Sequence, residues 1–268
     1  MPKLKSQQTS SKRQDSDLWT TRSKSHAAGS VLSWHQHQTG QLVYAIRGVM
    51  LVQTQLSRWT VPPQRALWVP PQHPHEIHIL SNTEMRTVYF QPELITQCSS
   101  FVRLTKVHAV AASPLIKELV LGLFDDQFDH ATRRQMVFLL LQTLRQTPSL
   151  PTHLPMPSSE GLRCALAQLL ETNDWQLSMK QLASVATMSE RTFSRRFTAE
   201  VGLSFRTWRQ RARIISSLDL LATDRSIKFI ARLLQFESAA AYIFSFRELL
   251  GCTPNTFRQE NRAAAVAL

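Results

Sequence analysis

At 268 residues with 43% hydrophobic side chains, the chain is long enough to build about two packed domains. Its 31 Lys and Arg outnumber 19 Asp and Glu, and the net charge of +12 favours an anionic partner, nucleic acid or a membrane surface. Three widely spaced cysteines (Cys98, Cys164 and Cys252) give no disulfide framework, the longest strongly apolar run (136–141) is far too short to span a bilayer, and the first 30 residues hold no signal-like stretch. A cytoplasmic protein without a membrane partner is expected.

In chain order, residues 1–28 are rich in Ser, Gln, Lys and Arg and read as a disordered polar tail. Over 29–110 the pattern is β. Alternation runs through Gln41-Leu42-Val43-Tyr44-Ala45-Ile46 and Val49-Met50-Leu51-Val52-Gln53-Thr54, with Gly48 as the turn between them. Pro62-Pro63, Pro70-Pro71 and Pro74 punctuate the chain after residue 60, and many short strands predict a barrel or sandwich. Two helices occupy 111–147. Ser113-Pro114 caps one over 115–124, and Thr132 opens another running to about residue 146. The second is apolar almost all round, so it is either buried on the barrel or shared with a second copy in a homodimer. Pro148, Pro151, Pro155 and Pro157 make 148–158 an extended, stiff linker, and 159–262 reads as helical.

Residues 189–210 and 238–259 repeat each other at a constant offset of 49. Ser189 answers to Ser238, Phe193 to Tyr242, Phe197 to Phe246 and Gly202 to Gly251; Thr207-Trp208-Arg209-Gln210 answers to Thr256-Phe257-Arg258-Gln259. Each copy has the form of the second helix of a helix-turn-helix with its stop signal. Two such units predict two helices entering successive major grooves of DNA.

In the first unit, 179–186 is a short helix with Leu182, Ala183 and Ala186 inward, Thr187-Met188-Ser189 is the turn, and Ser189 is the N-cap. Phe193 and Phe197 share the buried face, which leaves Arg191, Ser194, Arg195 and Thr198 free to meet base edges. Arg196 sits beside the core stripe and meets a phosphate or an acidic neighbour. Eight basic and two acidic residues lie within 179–213. A linking helix over 205–222 turns Phe205, Trp208, Ala212 and Ile215 inward. In the second unit Ile227, Ile230, Ala231 and Leu234 face the core, and Ala239, Ala240, Ile243 and Phe244 face outward, without the usual base readers. The first unit is therefore expected to carry most direct readout. The second adds phosphate contacts, shape fitting and apolar contact with thymine methyls. The candidate DNA contacts are Ser189, Arg191, Thr192, Ser194, Arg195 and Arg196, with Ser238, Ala239, Ala240 and Ile243.

The segments Ile230-Ala231, Phe236-Glu237-Ser238, Phe246-Arg247, Gly251-Cys252-Thr253-Pro254 and Phe257-Arg258 resemble the DNA-binding domain of the AraC/XylS family of bacterial transcription regulators. The resemblance covers roughly 160–262. It implies two helix-turn-helix units joined by a linker helix, with Arg191, Ser194 and Arg195 at base-facing positions. Gln235 departs from it, because the family usually has Gly there and Gln is less comfortable at positive φ.

Gly29, His35-x-His37, Gln41 and Gly48 are spaced like the first cupin motif, with Gln41 in place of its usual Glu. Pro70-Pro71-Gln72-His73-Pro74-His75 resembles the second motif, with His75 at the histidine position, Gln72 in place of a Gly and Ile79 where Asn is common. His35 and His37, two apart on a strand, would both point inward, and His75 would complete three imidazoles. With Gln41 these could hold zinc, nickel or iron. A pocket for an organic ligand without metal, and packing alone, stay open as readings. Trp34, Tyr44, Trp59 and Trp68 either line such a pocket or belong to the core.

The expected fold is multi-domain α and β: an N-terminal cupin-like β-barrel at 29–110, then an all-α double helix-turn-helix domain at 159–262. The expected function is a non-enzymatic, sequence-specific regulator that binds promoter DNA and responds to a small-molecule or metal signal. RNA polymerase is an expected partner, and a neighbouring transporter or metabolic gene an expected target. One alternative is a cupin metal-dependent oxygenase or isomerase, disfavoured by Gln41 and by the complete double unit. The other is a non-specific nucleoid-binding protein, which predicts a steep salt dependence but little gap between cognate and random DNA.

Overall fold

The computed structural model describes residues 12–13, 18–97, 103–150, 153–221 and 225–259. Cys98, residues 1–11 and 14–17 of the polar tail, and 260–262 of the helical region lie outside the described residues. The first half contains β1 (Lys12–Arg13), β2 (Trp19–His26), β3 (Val31–His35), β4 (Gly40–Arg47), β5 (Met50–Gln53), β6 (Ser57–Val61), β7 (Arg65–Val69), β8 (His75–Ile79) and β9 (Thr83–Phe90). After these come α1 (Pro92–Gln97), β10 (His108–Ala111), α2 (Pro114–Gly122), α3 (His130–Gln146), β11 (Ser149–Leu150) and β12 (His153–Pro155). The strands form two antiparallel sheets, ordered β1-β2-β9-β4-β7-β10-β11 and β12-β6-β5-β8-β3.

Strand β4 sets the layering. Val43 and Ala45 point between the sheets, against Met50, Val52, Leu67 and Ile77. Leu42, Tyr44 and Ile46 point the other way, against Ile116, Val120, Val137, Leu140 and Leu144 of α2 and α3. A strand buried on both faces needs apolar residues at both parities, which is what 42–46 supplies. Gly48 turns the chain into β5 at φ +86, where an added Cβ would lie 2.3 Å from the Asn82 carbonyl oxygen. Helix α3 buries one face in its own domain, the first of the two settings left open for it, while Leu139 stays 44% exposed.

Three expectations need correction. Residues 18–28 are not part of a disordered tail: β2 pairs with β9 along its length, and Trp19 and Thr21 are buried. Few of its inward positions are large and apolar, so periodicity alone did not reveal it. The described parts of the 148–158 linker, 148–150 and 153–158, are stitched to both sheets, with β11 on β10 and β12 on β6. Its Pro155 lies on an edge strand, where a missing N–H costs no ladder bond. Helix α3 begins at His130 rather than Thr132, because Asp129 is the N-cap and accepts the Thr132 N–H at 2.8 Å.

The second half comprises α4 (Glu160–Thr172), α5 (Met179–Val185), α6 (Glu190–Val201), α7 (Phe205–Leu221), α8 (Ile227–Leu233) and α9 (Ala239–Leu250), then helical backbone over 254–259. One core joins them. Phe193 and Phe197 meet Phe205 edge-on at 5.5 and 5.4 Å, and Phe246 bridges Tyr242 and Phe257 at 5.7 and 5.6 Å. Truncating such a buried ring to alanine costs about 3–5 kcal/mol. Leu154 and Met156 enter the same core from β12 and its exit, so the linker also docks on the helical half.

Candidate functional site

The two helix-turn-helix units share their construction. Ser178 and Ser226 cap the first helices, and Ser189 and Ser238 cap the second. Each turn passes through a left-handed residue, Thr187 at φ 53 and Gln235 at φ 58. Met188 N–H then donates to the Ala183 carbonyl and Phe236 N–H to the Ala231 carbonyl, both at 2.9 Å. The departure at Gln235 thus marks a position that favours Gly, and Gln holds it at an expected cost on the order of 1 kcal/mol. Up to this point the repeat offset is one residue shorter than 49. Glu237 is an extra residue before the second cap, and Ser238 sits at φ −154 where Ser189 sits at −71. The 49-residue repeat therefore begins at the recognition helices.

On α6, Arg191, Ser194, Arg195 and Thr198 are all exposed, opposite the buried Phe193 and Phe197. Ser189 accepts the Thr192 N–H at 3.2 Å and donates its hydroxyl to Thr192 Oγ1 at 2.9 Å. Arg196 lies 3.8 Å from Glu200, an acidic neighbour being one of the two partners expected for it. Glu200 itself accepts the Ser159 N–H at 2.8 Å and the Ser158 hydroxyl at 3.1 Å. Desolvation opposes ionisation there, but these hydrogen bonds hold its carboxyl below the usual range.

Not every arginine of the basic segment is available to DNA. Arg209 donates to the Trp175 and Leu177 carbonyls at 3.2 and 2.7 Å and stacks over Phe205. Arg213 donates to the Leu234 carbonyl at 2.9 Å and stacks over Phe236 at 3.8 Å. Arg258 repeats the role of Arg209, donating to the Arg225 carbonyl at 2.6 Å. These side chains fix loops and helix ends. Lys180, Arg191, Arg195, Arg196 and Arg206 remain exposed. On α9 the expected face also changes. Ala239 and Ile243 are half-buried and pack on the core, whereas Ala240, Phe244 and Arg247 are exposed. Helical spacing places Phe244 outward, as expected, but Ile243 is drawn inward.

The histidines converge as foreseen, by a different route. His35 ends β3 and pairs in register with His75 at the start of β8. His37 lies beyond the strand in the 36–39 connection, so alternation on one strand does not orient it. Nδ1 of His35, His37 and His75 lies 2.7, 2.8 and 2.8 Å from the carbonyl oxygens of Ser33, Thr39 and His73. A carbonyl only accepts, so Nδ1 carries a proton in each ring, and the neutral form of each keeps its lone pair on Nε2. Potential ligand atoms of the three lie within 4.8 Å of one another. His75 Nε2 is buried without a hydrogen-bond partner among the described residues. Burial, reinforced by the neighbouring imidazoles, pushes His75 down to about 4, so it is neutral near pH 7. His37 Nε2 lies 2.9 Å from Gln41 Oε1, and Gln41 Nε2 lies 3.3 Å from the Tyr89 hydroxyl. Gln41 is therefore placed to be a fourth ligand oxygen or, turned over, to donate to His37. The donor set fits a borderline divalent ion, for which bonds of about 2.0–2.1 Å place neighbouring nitrogens roughly 3.3 Å apart. Of the four aromatic candidates, Tyr44, Trp59 and Trp68 are buried in the cores, and Trp34 is 46% exposed. Gln72, in the loop before His75, adopts φ 57 where the motif usually has Gly.

Comparison with known proteins accounts for both halves. Residues 20–177 match the family described as an AraC-like ligand binding domain, and 182–260 match a helix-turn-helix domain. The HTH-type transcriptional regulator NimR of Escherichia coli K12 is 30% identical over 226 residues, spanning 83% of this chain and 81% of that protein. The chain belongs to the AraC family of transcriptional regulators. It is a DNA-binding regulator with a ligand-binding domain, and the family match begins within β2, at residue 20. Another relative, RipA of Corynebacterium glutamicum, is 37% identical over 112 residues, 41% of this chain and 33% of that protein. Among solved structures, ToxT from Vibrio cholerae with bound unsaturated fatty acid is 11% identical over 92% of this chain and 96% of that one, at a TM-score of 0.38. The DNA-binding domain of AdpA with target DNA is 34% identical over 39% of this chain and 96% of that one, at a TM-score of 0.37. No helix among the described residues is long and apolar enough to cross a membrane.

Proposed function

We propose that this AraC-family regulator is a metal-responsive, sequence-specific promoter-binding protein of the cytoplasm that acts by binding, not catalysis. The observation that carries the reading is the convergence of three imidazoles, each with Nδ1 on a backbone carbonyl and with ligand atoms within 4.8 Å of one another. His35, His37 and His75 would hold the ion, with Gln41 beside them. When bound, zinc, nickel or iron would supply a point of attachment for the signal, alone or through a chelating effector. The protein's own part is to exclude water from His75 and to fix the three rings. Direct readout falls to Arg191, Ser194 and Arg195. Occupancy regulates only as far as the ion binds the DNA-competent and incompetent states unequally. Leu115 and Leu139, 49% and 44% exposed on α2 and α3, leave apolar side chains for a homodimer to cover.

The test is calorimetric titration of the full chain with zinc, nickel and iron(II) at neutral pH, paired with operator affinity with and without the ion. Binding that is lost in the double variant His35→Ala/His37→Ala is expected. Wild-type protein that takes up none of them, even after reconstitution, would end the metal reading and leave an organic effector in its place.

A further inference from the structure

We infer that Phe244 is the base-reading side chain of the second unit, and that it reads the 5-methyl group of a thymine in the major groove. The inference rests on the DNA-reading assignment above and names the contact its second half makes. On α9, Tyr242 and Phe246 are fully buried, and at 3.6 residues per turn Phe244 falls on the opposite side. It is 67% exposed, the most exposed large hydrophobic side chain among the described residues. Such a ring contributes nothing to the core. In the repeat it stands where Arg195 stands, and its stripe companions Ala240 and Arg247 answer to Arg191 and Thr198.

The surroundings define the occupant. Arg247, about one turn after Phe244 on α9, is exposed, as are Lys228 and Arg232 on α8 of the same unit, and these supply cations for a polyanion. Ala240, one turn before Phe244, is small and lets the helix approach the groove floor. Phe244 itself lines a groove with the acidic Glu248, one turn further on, and with Arg206 and Arg211, which offset that charge. A phenyl ring has no donor or acceptor for base edges, and the apolar handle on a base edge in the major groove is the thymine methyl. Because Phe244 answers to Arg195, that thymine should lie about one helical turn, roughly 10 base pairs, from the base that Arg195 reads.

The experiment selects sites from random DNA with the full-length protein, then measures affinity for the selected site with single thymine-to-uracil replacements, which delete only the methyl. One replacement in the second half-site is expected to weaken wild-type binding about fourfold, the value of one buried methyl-sized group. Phe244→Ala is expected to bind the thymine and uracil sites equally, Phe244→Leu to keep part of the discrimination, and Arg195→Ala to keep all of it. No uracil effect in that half-site, or an equal effect in Phe244→Ala, overturns the inference while leaving the first-unit assignment standing. Wild-type protein that selects no motif over random DNA overturns the DNA-reading assignment, and this inference with it.

Discussion

Trp208 of α7 donates its indole N–H to the carbonyl oxygen of Pro155 in β12 at 2.7 Å. Strand β12 is one edge of the sheet ordered β12-β6-β5-β8-β3, and His35 lies on the opposite edge, β3, paired with His75 on the neighbouring β8. A single sheet therefore runs from the imidazole site to the helix that links the two DNA-binding units. Trp208→Phe keeps most of the ring packing and removes the donor. Expected is a stability loss of about 1 kcal/mol and a smaller effector-dependent change in operator affinity. Thermal unfolding and operator titrations with and without zinc measure the two. An unchanged effector response would remove this bond from the coupling.

Arg195 is the sharpest case for base readout. Arg195→Ala should cost about 1–3 kcal/mol on the selected operator and relax preference at one position. Arg196 pairs with Glu200, so Arg196→Ala should cost less and cost it uniformly across sequences. Competition binding against random DNA separates the two, and an equal loss on both DNAs would remove Arg195 from base readout.

The DNA-binding half was legible because its signals are local. Caps at Ser189 and Ser238, stops at Gly202 and Gly251, and aromatic pairs at helical spacing all act within one or two turns. The histidine cluster was legible as a set, since the motif spacing names its members. What stayed hidden depends on distant partners. Strand β2 is recognisable only through β9, and the linker's edge strands only through β10 and β6. The extra Glu237 is invisible to a single offset, and Arg209 looks like a DNA contact until the Trp175 and Leu177 carbonyls are placed beside it.

Arg209 and Arg191 should therefore behave as opposites. Arg209→Ala strands two carbonyls and should lower stability by about 1–3 kcal/mol, while the salt dependence of DNA binding by the folded protein stays unchanged. Arg191 is exposed on α6, so Arg191→Ala should leave stability nearly intact and reduce the slope of log K against log salt by about 1. Urea unfolding and a salt series of binding titrations read both. A reduced slope for Arg209→Ala would return that residue to the DNA interface.

Burial lowers His26, His73, His75 and His153, and the pH dependence specific to the imidazole site comes from His75, whose folded value is pushed down to about 4 from the usual 6.5, chiefly by burial. Between those values the unfolded chain takes up a proton that the folded chain refuses. The stability this group contributes is complete above pH 6.5 and is lost as pH falls toward about 4, with a slope approaching one proton, about 1.4 kcal/mol per pH unit. A zinc ion on Nε2 requires the same neutral ring, so zinc affinity should fall in the same direction. His75→Gln removes the titrating group and should flatten this part of the profile while abolishing the zinc-dependent gain in stability. Urea unfolding at pH 7.5, 6 and 5, with and without zinc, measures both effects. A wild-type profile no steeper than that of His75→Gln would show that His75 is not held neutral by the fold.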